Sequence, residues 1–203
     1  GNVTRPTHYN TSWDFARFEV CAHKWIDISE NGYGISVLNN CKYGCDIHNG
    51  EIGLTMLKSA VYPNPDADKE HHSFTWSIAP HEGGWREGNT VAKAYVLNNP
   101  YQTAVKENEG GNLPASYSFV QADKENVVIE AVKKAEDSDA VIVRLYECYN
   151  RRGQTTLTFP RPVKRAVICN MLEEEIGEVL NVNGSQVELE LKPYEIETVK
   201  VEF

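Results

Sequence analysis

The chain has 203 residues, which is long enough for one large β domain or two small lobes with a buried core. Its hydrophobic content of 41% and charged content of 24% are those of an ordinary globular protein. The net charge of −9 and the scattered Lys and Arg argue against a nucleic-acid partner, because phosphate binding needs clustered positive charge. No apolar run is long enough for a membrane-spanning helix, so no membrane partner is predicted.

The five cysteines are an odd number at irregular spacings, which argues against a disulfide framework. A reducing compartment is the simpler interpretation, so a cytoplasmic location is predicted. The chain has no signal peptide and opens on Gly1 rather than Met. We therefore expect residues to precede it in the natural protein.

Short strands with a two-residue alternation of apolar and polar side chains dominate the pattern. In chain order, the strand candidates are Phe18–Cys21, Ile35–Leu38, Ile52–Leu57, Ser73–Ile78, Val127–Val132, Val141–Tyr146, Thr155–Phe159, Val187–Leu191 and Val199–Phe203. Asn-Gly pairs at 31–32, 49–50 and 183–184 predict tight hairpins, and Asn150–Gly153 should join two more strands. One helix is predicted over Thr90–Leu97, capped by Asn89, with Val91, Ala94 and Tyr95 on one face. This composition of elements favours an all-β, antiparallel β-sandwich with at most one or two short helices.

A polar stretch at Glu107–Pro114 interrupts the strand pattern and predicts a loop between two halves, at about 1–108 and 113–203. Neither half has enough strands for a complete sandwich of its own. A single intimate unit over residues 1–203 is therefore the preferred organisation.

The segment Phe15–Trp25 has an unusual pattern for a first strand. Its even positions are apolar, whereas its odd positions form a polar ladder of Arg17, Glu19, Cys21 and His23 framed by two aromatic residues. A solvent-facing row of weak ion pairs would account for the ladder. A face covered by another domain or a ligand would account for it equally well.

Two clusters offer metal-ligand residue types without the required spacing. The segment Asn64–His72 holds carboxylates and imidazoles, but it lacks the glycine that shapes a calcium loop. Cys41, Cys45 and His48 form a C-x3-C-x2-H cluster, but structural zinc needs four ligands and no fourth lies nearby. A solvated loop and a pair of free thiols are the simpler interpretations.

No convincing active site emerges from the other motifs. The triple acid Glu173–Glu175 supplies carboxylates by count only, and glycoside hydrolysis needs one neutral and one ionised group. No G-x-S-x-G elbow supports a Ser-His-Asp arrangement, and no glycine-rich phosphate loop is present. The sequence therefore predicts no catalytic residue and no metal site.

Several segments together resemble a known family. These are Arg5–His8, Asn10–Asp14, Ala16–Trp25, Tyr33–Gly44, Leu57–Ser59, Tyr62-Pro63, Phe74-Thr75, Pro80-His81, Gly84-Trp85, Val143–Glu147, Arg165–Val167 and Leu172-Glu173. In this order they resemble the C-terminal region of the family-38 α-mannosidases, most closely the cytosolic-type subfamily. The resemblance implies a β-sandwich of the supersandwich, galactose-mutarotase-like type.

The resemblance also implies a function for the parent protein. Family members hydrolyse terminal α-D-mannosides with retention of configuration, in mannose metabolism, through an Asp nucleophile and a metal ion, usually zinc. Both belong to a catalytic domain that has no counterpart in this sequence. The implied role of this chain is a non-catalytic domain without a cofactor of its own, whose partners are the catalytic domain and a mannoside or manno-oligosaccharide.

The resemblance assigns expected positions to nine residues. Arg17, Glu19 and His23 are expected to lie at the interface with the catalytic domain. Lys42, Tyr43 and the segment Tyr62–Lys69, which includes Asp66 and Asp68, are expected to border the glycone or aglycone site. The linkage preference and the oligomeric state are left open.

Two other functions compete with this interpretation. An autonomous carbohydrate-binding module would stack sugars on exposed aromatic rings, for which Trp13, Trp25, Tyr43, Trp85 and Tyr149 are candidates. Trp76 lies on the apolar side of its alternating strand and is expected in the core. An independent hydrolase is the third interpretation, and metal-dependent turnover by this chain alone would support it.

Overall fold

The computed structural model describes residues 1–105, 110–112 and 114–203. Within these ranges the chain forms fifteen strands and two helices, divided between two compact units. The N-terminal unit is Thr4–Lys106, and the C-terminal unit is Gly1–Val3 with Glu107–Phe203. All strand pairs are antiparallel, which confirms the predicted all-β class with two short helices. The loop predicted at Glu107–Pro114 falls partly outside the described residues, and the expectation of one intimate unit stays a prediction.

The N-terminal unit carries both helices and six strands. In chain order these are α1 Ser12–Ala16, β1 Val20–Cys21, β2 Trp25–Ser29, β3 Tyr33–Asn39, β4 Gly44–His48, β5 Glu51–Leu54, β6 Trp76–Glu82 and α2 Thr90–Asn98. The strands form two three-stranded sheets, with orders β1-β4-β5 and β2-β3-β6. Two of the predicted Asn-Gly hairpins connect neighbours in these sheets, β2 to β3 and β4 to β5. At the second, Asn49 and Gly50 have φ of 50° and 81°, the left-handed pair that a tight hairpin needs.

The C-terminal unit is a two-layered β structure. Its strands are β7 Gln121–Ala122, β8 Val127–Lys134, β9 Val141–Glu147, β10 Gly153–Thr158, β11 Arg165–Cys169, β12 Glu175–Val179, β13 Asn181–Asn183, β14 Gln186–Leu191 and β15 Ile196–Glu202. They form a four-stranded sheet, β13-β14-β10-β7, and a five-stranded sheet, β12-β11-β15-β9-β8. The third predicted hairpin, at Asn183-Gly184, joins β13 to β14.

The core of the C-terminal unit explains why its alternating strands fold in this way. Val187, Leu189 and Leu191 of β14 alternate with exposed acids and are buried in one cluster with Leu145 of β9 and Val199 of β15. The cluster therefore draws side chains from both sheets. Each such buried Val or Leu contributes about 1.5–3 kcal/mol of transfer free energy. Burial of one face of each sheet therefore specifies the sandwich.

The predicted first strand is wrong over most of its length. Residues 12–16 form helix α1, because Thr11 and Asp14 build a capping box in which each side chain bonds the other residue's backbone N–H. Before Lys24 the strand is only the two residues of β1. Lys24 has a φ of 68°, a left-handed conformation that ends the extended segment. The polar ladder from Arg17 to His23 therefore does not form along one strand.

The faces of β6 are the reverse of the prediction. Trp76 and Ile78 are 48% and 56% exposed, so Trp76 is not a core residue. The smaller Ser77 and Ala79 lie on the less exposed side instead. On that side, Ser36 of the paired strand β3 contacts the buried Thr90 of α2.

Helix α2 occupies the predicted range, with Val91 and Ala94 buried. Asn89 is the N-cap residue, as predicted, but it is left-handed at φ 52° and its side chain makes no capping hydrogen bond. Tyr95 lies under the ammonium of Lys24, 4.1 Å from Nζ to the ring centroid. Among the described residues, neither helix is long and apolar enough to cross a membrane.

Candidate functional site

An open depression of about 490 Å³ lies on the N-terminal unit, beside β1, the start of β4 and the segment that follows β5. Four of the nine residues predicted from the sequence line it: Glu19, Lys42, Tyr43 and Asp68. The other lining residues are Val20, Cys21, Cys41, Gly44, Thr55, Met56, Leu57 and Lys58. The structure thus brings together residues that are up to 49 positions apart in the chain.

The Glu19 carboxylate is the most tightly held group of the depression. Its Oε1 accepts a hydrogen bond from Thr55 Oγ1 at 2.8 Å, and its Oε2 accepts one from Lys58 Nζ at 2.5 Å. The bond from Lys58, then that from Thr55, lowers the pKa of Glu19 below its ordinary value. Glu19 is therefore an ionised acceptor at neutral pH.

Tyr43 and Lys42 form a second side of the depression. The Tyr43 hydroxyl donates to the Asn40 carbonyl at 3.2 Å, and its ring lies 4.4 Å from the ring of His23. Lys42 Nζ lies 5.1 Å from the centroid of the Phe74 ring, a cation–π distance. His23 thus supports Tyr43 from behind without itself lining the depression.

Asp68 reaches the depression from the loop after β5. Its Oδ2 accepts the backbone N–H of Ser59 at 3.1 Å, and its carbonyl lies 2.9 Å from His72 Nε2. Asp68 has a φ of 60°, a left-handed conformation that its short polar side chain tolerates. The loop therefore has internal bonds that fix the Asp68 carboxylate close to Ser59.

The remaining predicted residues lie outside the depression. Asp66 pairs with Lys69 at 3.0 Å, and both side chains are mostly exposed. Tyr62 is 87% exposed, and Arg17 follows helix α1 on the surface. With His23, these are the five predicted positions that do not line the depression.

The possible zinc ligands do not converge. Cys45 is fully buried, and burial is the main cause that raises the pKa of its thiol to about 11. The His48 ring stacks on Tyr9 at 3.9 Å, and Cys41 is exposed. In the described ranges, no three His, Cys, Asp or Glu side chains lie close enough to hold a metal ion.

The three adjacent acids after β11 form separate ion pairs and hydrogen bonds. Glu173 binds Lys133 at 2.7 Å, whereas Glu175 binds Arg165 through both oxygens. Glu174 accepts from the Asn170 amide at 2.7 Å. Each acid has a different partner, so they do not form a carboxylate pair facing one substrate.

Sequence reasoning missed a buried polar cluster beneath α2. His81 Nε2 lies 2.7 Å from Asp27 Oδ2, and the two side chains are 3% and 5% exposed. Ser36 Oγ donates to the same Asp27 oxygen at 2.7 Å and lies 2.6 Å from Thr90 Oγ1. Asp27 and Ser36 approach the same ring nitrogen, whereas a catalytic triad needs them on opposite nitrogens. The cluster is therefore structural.

Sequence reasoning also missed Thr55 and Lys58 as partners of Glu19. Thr55 falls in the predicted strand Ile52–Leu57, which the structure ends at Leu54, and Lys58 falls in a segment that resembles the family. Neither feature indicates a side chain that turns towards β1. Only the pairing of β1 with β4, and of β4 with β5, brings the two segments together. A long-range strand order of this kind is not readable from local patterns.

Two family models match the chain, one in each unit. Residues 1–66 match the C-terminal domain of glycosyl hydrolases family 38, and residues 126–199 match the C-terminal beta sandwich domain of the same family. The matched ranges together make up more than half of the chain. The chain belongs to glycosyl hydrolase family 38. The resemblance inferred from the sequence is therefore confirmed.

Curated relatives of this family-38 region agree along its whole length. Alpha-mannosidase G of Dictyostelium discoideum is 38% identical over 98% of the chain, and Alpha-mannosidase 2C1 of Homo sapiens is 36% identical over 97%. The Alpha-mannosidase of Saccharomyces cerevisiae is 32% identical over 100%. The chain spans only about a fifth of the length of each relative.

A solved structure supports the fold of the family-38 region. An alpha-mannosidase from Enterococcus faecalis superposes with a TM-score of 0.76 at 19% sequence identity. The match covers 98% of this chain and 23% of that one. At this identity the likeness concerns the fold alone.

Proposed function

We propose that this chain is the non-catalytic C-terminal region of a retaining α-mannosidase, which hydrolyses terminal α-D-mannosides. In this proposal it contacts the catalytic domain of the same polypeptide and borders the substrate cleft. The observation that carries the proposal is the polar depression around Glu19, in a chain whose relatives are α-mannosidases about five times its length.

The depression has the chemistry of a saccharide site. Sugar hydroxyls both donate and accept, so a saccharide site needs fixed acceptors and donors close together. Glu19 and Asp68 supply carboxylate acceptors, and Lys42 supplies a cationic donor. Tyr43 adds an aromatic surface beside them. These groups can bind and orient a sugar, whereas bond cleavage belongs to the catalytic domain.

The metal of the parent enzyme, zinc or another divalent ion, is proposed to lie in the catalytic domain. The described residues of this chain do not fit a metal site, since no three ligand side chains converge. No step of the proposed role of this region therefore passes through the metal. The cytoplasmic location also stays a proposal, supported by the five cysteines, none of which forms a disulfide among the described residues.

We assign the five predicted residues outside the depression to the proposed interface with the catalytic domain. Arg17 and Tyr62 are exposed, and Asp66 and Lys69 form an exposed ion pair. His23 lies behind Tyr43. Polar and aromatic groups of this kind are common at interfaces between domains of one chain, because such interfaces are more polar than obligate protein–protein interfaces. Protection of these residues in the complete enzyme, measured by hydrogen exchange or footprinting, would support the assignment.

Kinetics of the complete parent enzyme test the proposed function. Glu19→Gln and Asp68→Asn should each raise KM for 4-nitrophenyl α-D-mannopyranoside or a manno-disaccharide, because each removes a charged acceptor. Asp139→Asn is the matched control, since its carboxylate is 99% exposed on the C-terminal unit and outside the depression. Wild-type kinetics and unchanged stability in both site variants would remove the proposal.

One observation favours a second function, an autonomous carbohydrate-binding module. Trp13 and Phe15 of α1 are 76% and 65% exposed, as a sugar-stacking surface requires. Tyr149 is not a candidate, because it is buried at 5% exposure. Titration of the 203-residue chain with mannose and manno-oligosaccharides separates the two functions. Millimolar or tighter binding that Trp13→Ala abolishes supports the module, and no binding supports the cleft-bordering region.

A further inference from the structure

The Glu19 carboxylate is positioned from three sides. Thr55 Oγ1 and Lys58 Nζ each donate to a different oxygen, at 2.8 and 2.5 Å. On the third side Gly44 leaves room, since a Cβ added there would lie 3.0 Å from Glu19 Oε1. The sequence pattern does not predict that either donor reaches Glu19. Two donors and one missing side chain therefore fix where this carboxylate lies.

Stability does not account for the arrangement. Lys58 is 64% exposed and Glu19 24% exposed, and an ion pair this accessible contributes little to folding because water screens it. If Lys58 only balanced the charge of Glu19 at the surface, the second donor, Thr55, would not be needed on the other carboxylate oxygen. Hydrogen bonds to both oxygens of one carboxylate limit its rotation. This restriction is useful when the carboxylate must bind a ligand in one orientation.

The charges around the depression indicate the class of ligand. Of the described residues that line it, Glu19 and Asp68 are anionic, and Lys42 and Lys58 are cationic. The four charges cancel, so the site has no net attraction for an anion such as a phosphorylated sugar. Each oxygen of Glu19 has capacity for a further hydrogen bond beyond the one that it accepts. A neutral ligand rich in hydroxyl groups satisfies these acceptors.

We infer that Thr55 and Lys58 are positioning residues that hold the Glu19 carboxylate as the acceptor for a hydroxyl group of a neutral saccharide, with Gly44 providing the space. The inference rests on the proposed function and adds to it the identity of the residues that orient the acceptor. Neither donor needs to touch the sugar. Their effect is exerted through the position of the carboxylate and through its ionised state, which the lowered pKa of Glu19 supports.

Steady-state kinetics of the complete parent enzyme on 4-nitrophenyl α-D-mannopyranoside and a manno-disaccharide test the inference. Lys58→Met and Thr55→Val should each raise KM by about 10-fold, with little change in kcat. The reason is that a displaced Glu19 carboxylate loses its hydrogen bond with the sugar hydroxyl, and one hydrogen bond to a charged group contributes about this factor. Gly44→Ala should raise KM without removing either donor, because its new methyl group would lie 3.0 Å from Oε1 and displace the carboxylate. Lys58→Arg should restore most of the loss, since it restores a cationic donor.

Lys134→Met is the matched control. Lys134 forms a comparable lysine–carboxylate pair with Asp139 at 2.8 Å on the C-terminal unit, away from the depression. Its kinetics should equal those of the unaltered enzyme. Melting temperatures of all variants separate positioning from folding. If Lys58→Met does not fold, Thr55→Val and Gly44→Ala decide the question.

The outcomes distinguish this inference from the proposed function. A raised KM in Glu19→Gln with unaltered kinetics in Thr55→Val, Lys58→Met and Gly44→Ala overturns the inference and leaves the proposed function standing. Lower melting temperatures with an unaltered KM in the three variants also overturn it, because the contacts are then only structural. Unaltered kinetics in Glu19→Gln would overturn the inference, and unaltered kinetics and stability in both Glu19→Gln and Asp68→Asn would remove the proposed function as well.

Discussion

Glu147 gives the most sensitive test of how the C-terminal unit is held together. Its carboxylate is 1% exposed, at the end of β9. One oxygen accepts from the Asn126 amide at 2.9 Å and the Tyr149 N–H at 2.7 Å, and the other accepts from the Tyr194 N–H at 3.0 Å. The carboxylate therefore fixes the segments before β8, after β9 and before β15 to one another.

Removal of this carboxylate should be costly. Glu147→Ala removes the acceptor of the buried Asn126 and Tyr149 donors and of the partly buried Tyr194 N–H, and each buried donor left without a partner costs about 1–3 kcal/mol. We expect a loss of roughly 3–5 kcal/mol, the size found when one member of a buried charged network is removed. This is a large share of the roughly 5–15 kcal/mol that stabilises a domain. Glu147→Gln keeps one acceptor oxygen but turns an NH₂ group towards donors, so a smaller loss is expected.

The pH dependence of the loss identifies its origin. Burial opposes ionisation of Glu147, but the hydrogen bonds from Tyr194, Asn126, Tyr149 and Arg151 outweigh it and lower its pKa below 4.5. A carboxyl group with a lowered folded-state pKa stabilises fully above its unfolded pKa, and this stabilisation is lost as pH falls through the folded value. The difference between the unaltered chain and Glu147→Gln should therefore shrink below a pH of about 4.5.

Urea unfolding followed by circular dichroism measures both effects, at neutral pH and at several acidic values. Glu188→Gln is a suitable control, because Glu188 is an exposed acid on β14. A loss below about 0.5 kcal/mol in Glu147→Ala, within the range of ordinary surface substitutions, would refute the reasoning. A loss in Glu147→Gln that does not change with pH would refute the part assigned to charge.

Two further predictions concern the N-terminal unit. Gly34→Ala should destabilise it by about 1–3 kcal/mol by overpacking, because a Cβ there would lie 2.2 Å from the buried His81 ring; Gly32→Ala, which meets nothing within 4 Å, should be neutral in the same thermal unfolding assay. Cys45 should react with iodoacetamide far more slowly than exposed Cys21, because it is buried and its thiol pKa is raised to about 11. Mass spectrometry of the labelled peptides measures the two rates, and equal rates would contradict the burial of Cys45.

Much of the C-terminal unit was predictable because its signals are local. The alternation in Val187–Leu191 predicts a half-buried strand, and the structure buries the expected face of β14. All three Asn-Gly pairs connect antiparallel neighbours, as predicted. The two successive left-handed residues that such a turn tolerates are present at Asn49-Gly50, whereas only Gly184 is left-handed in the third pair and neither residue is in the first.

The errors arise where a local interaction or a packed neighbour overrides the alternation. Thr11 and Asp14 cap a helix inside a segment that reads as a strand. On β6 the apolar side chains of Trp76 and Ile78 lie on the more exposed face, opposite the side on which the paired strand β3 contacts helix α2. Periodicity shows that the two faces of a strand differ, but it does not show which face another element covers.

The candidate site was predictable in part for a related reason. Glu19, Lys42 and Tyr43 belong to segments that resemble the family, Asp68 belongs to the loop predicted to border the site, and all four line one depression. Thr55 and Lys58, the partners of Glu19, were not predictable, because their approach depends on the order β1-β4-β5 in the sheet. The Asn49-Gly50 turn predicts that β4 and β5 are neighbours, but the pairing of β1 with β4 is a tertiary property that no local motif encodes.

The central claim is that the depression around Glu19 borders the substrate cleft of the parent α-mannosidase. A crystal structure of the complete enzyme with a bound manno-oligosaccharide tests it most directly. The proposal predicts a sugar hydroxyl oxygen within about 2.5–3.0 Å of a Glu19 carboxylate oxygen, the distance of an O–H···O hydrogen bond. A depression filled by protein side chains, or one that opens to solvent away from the bound sugar, would contradict it.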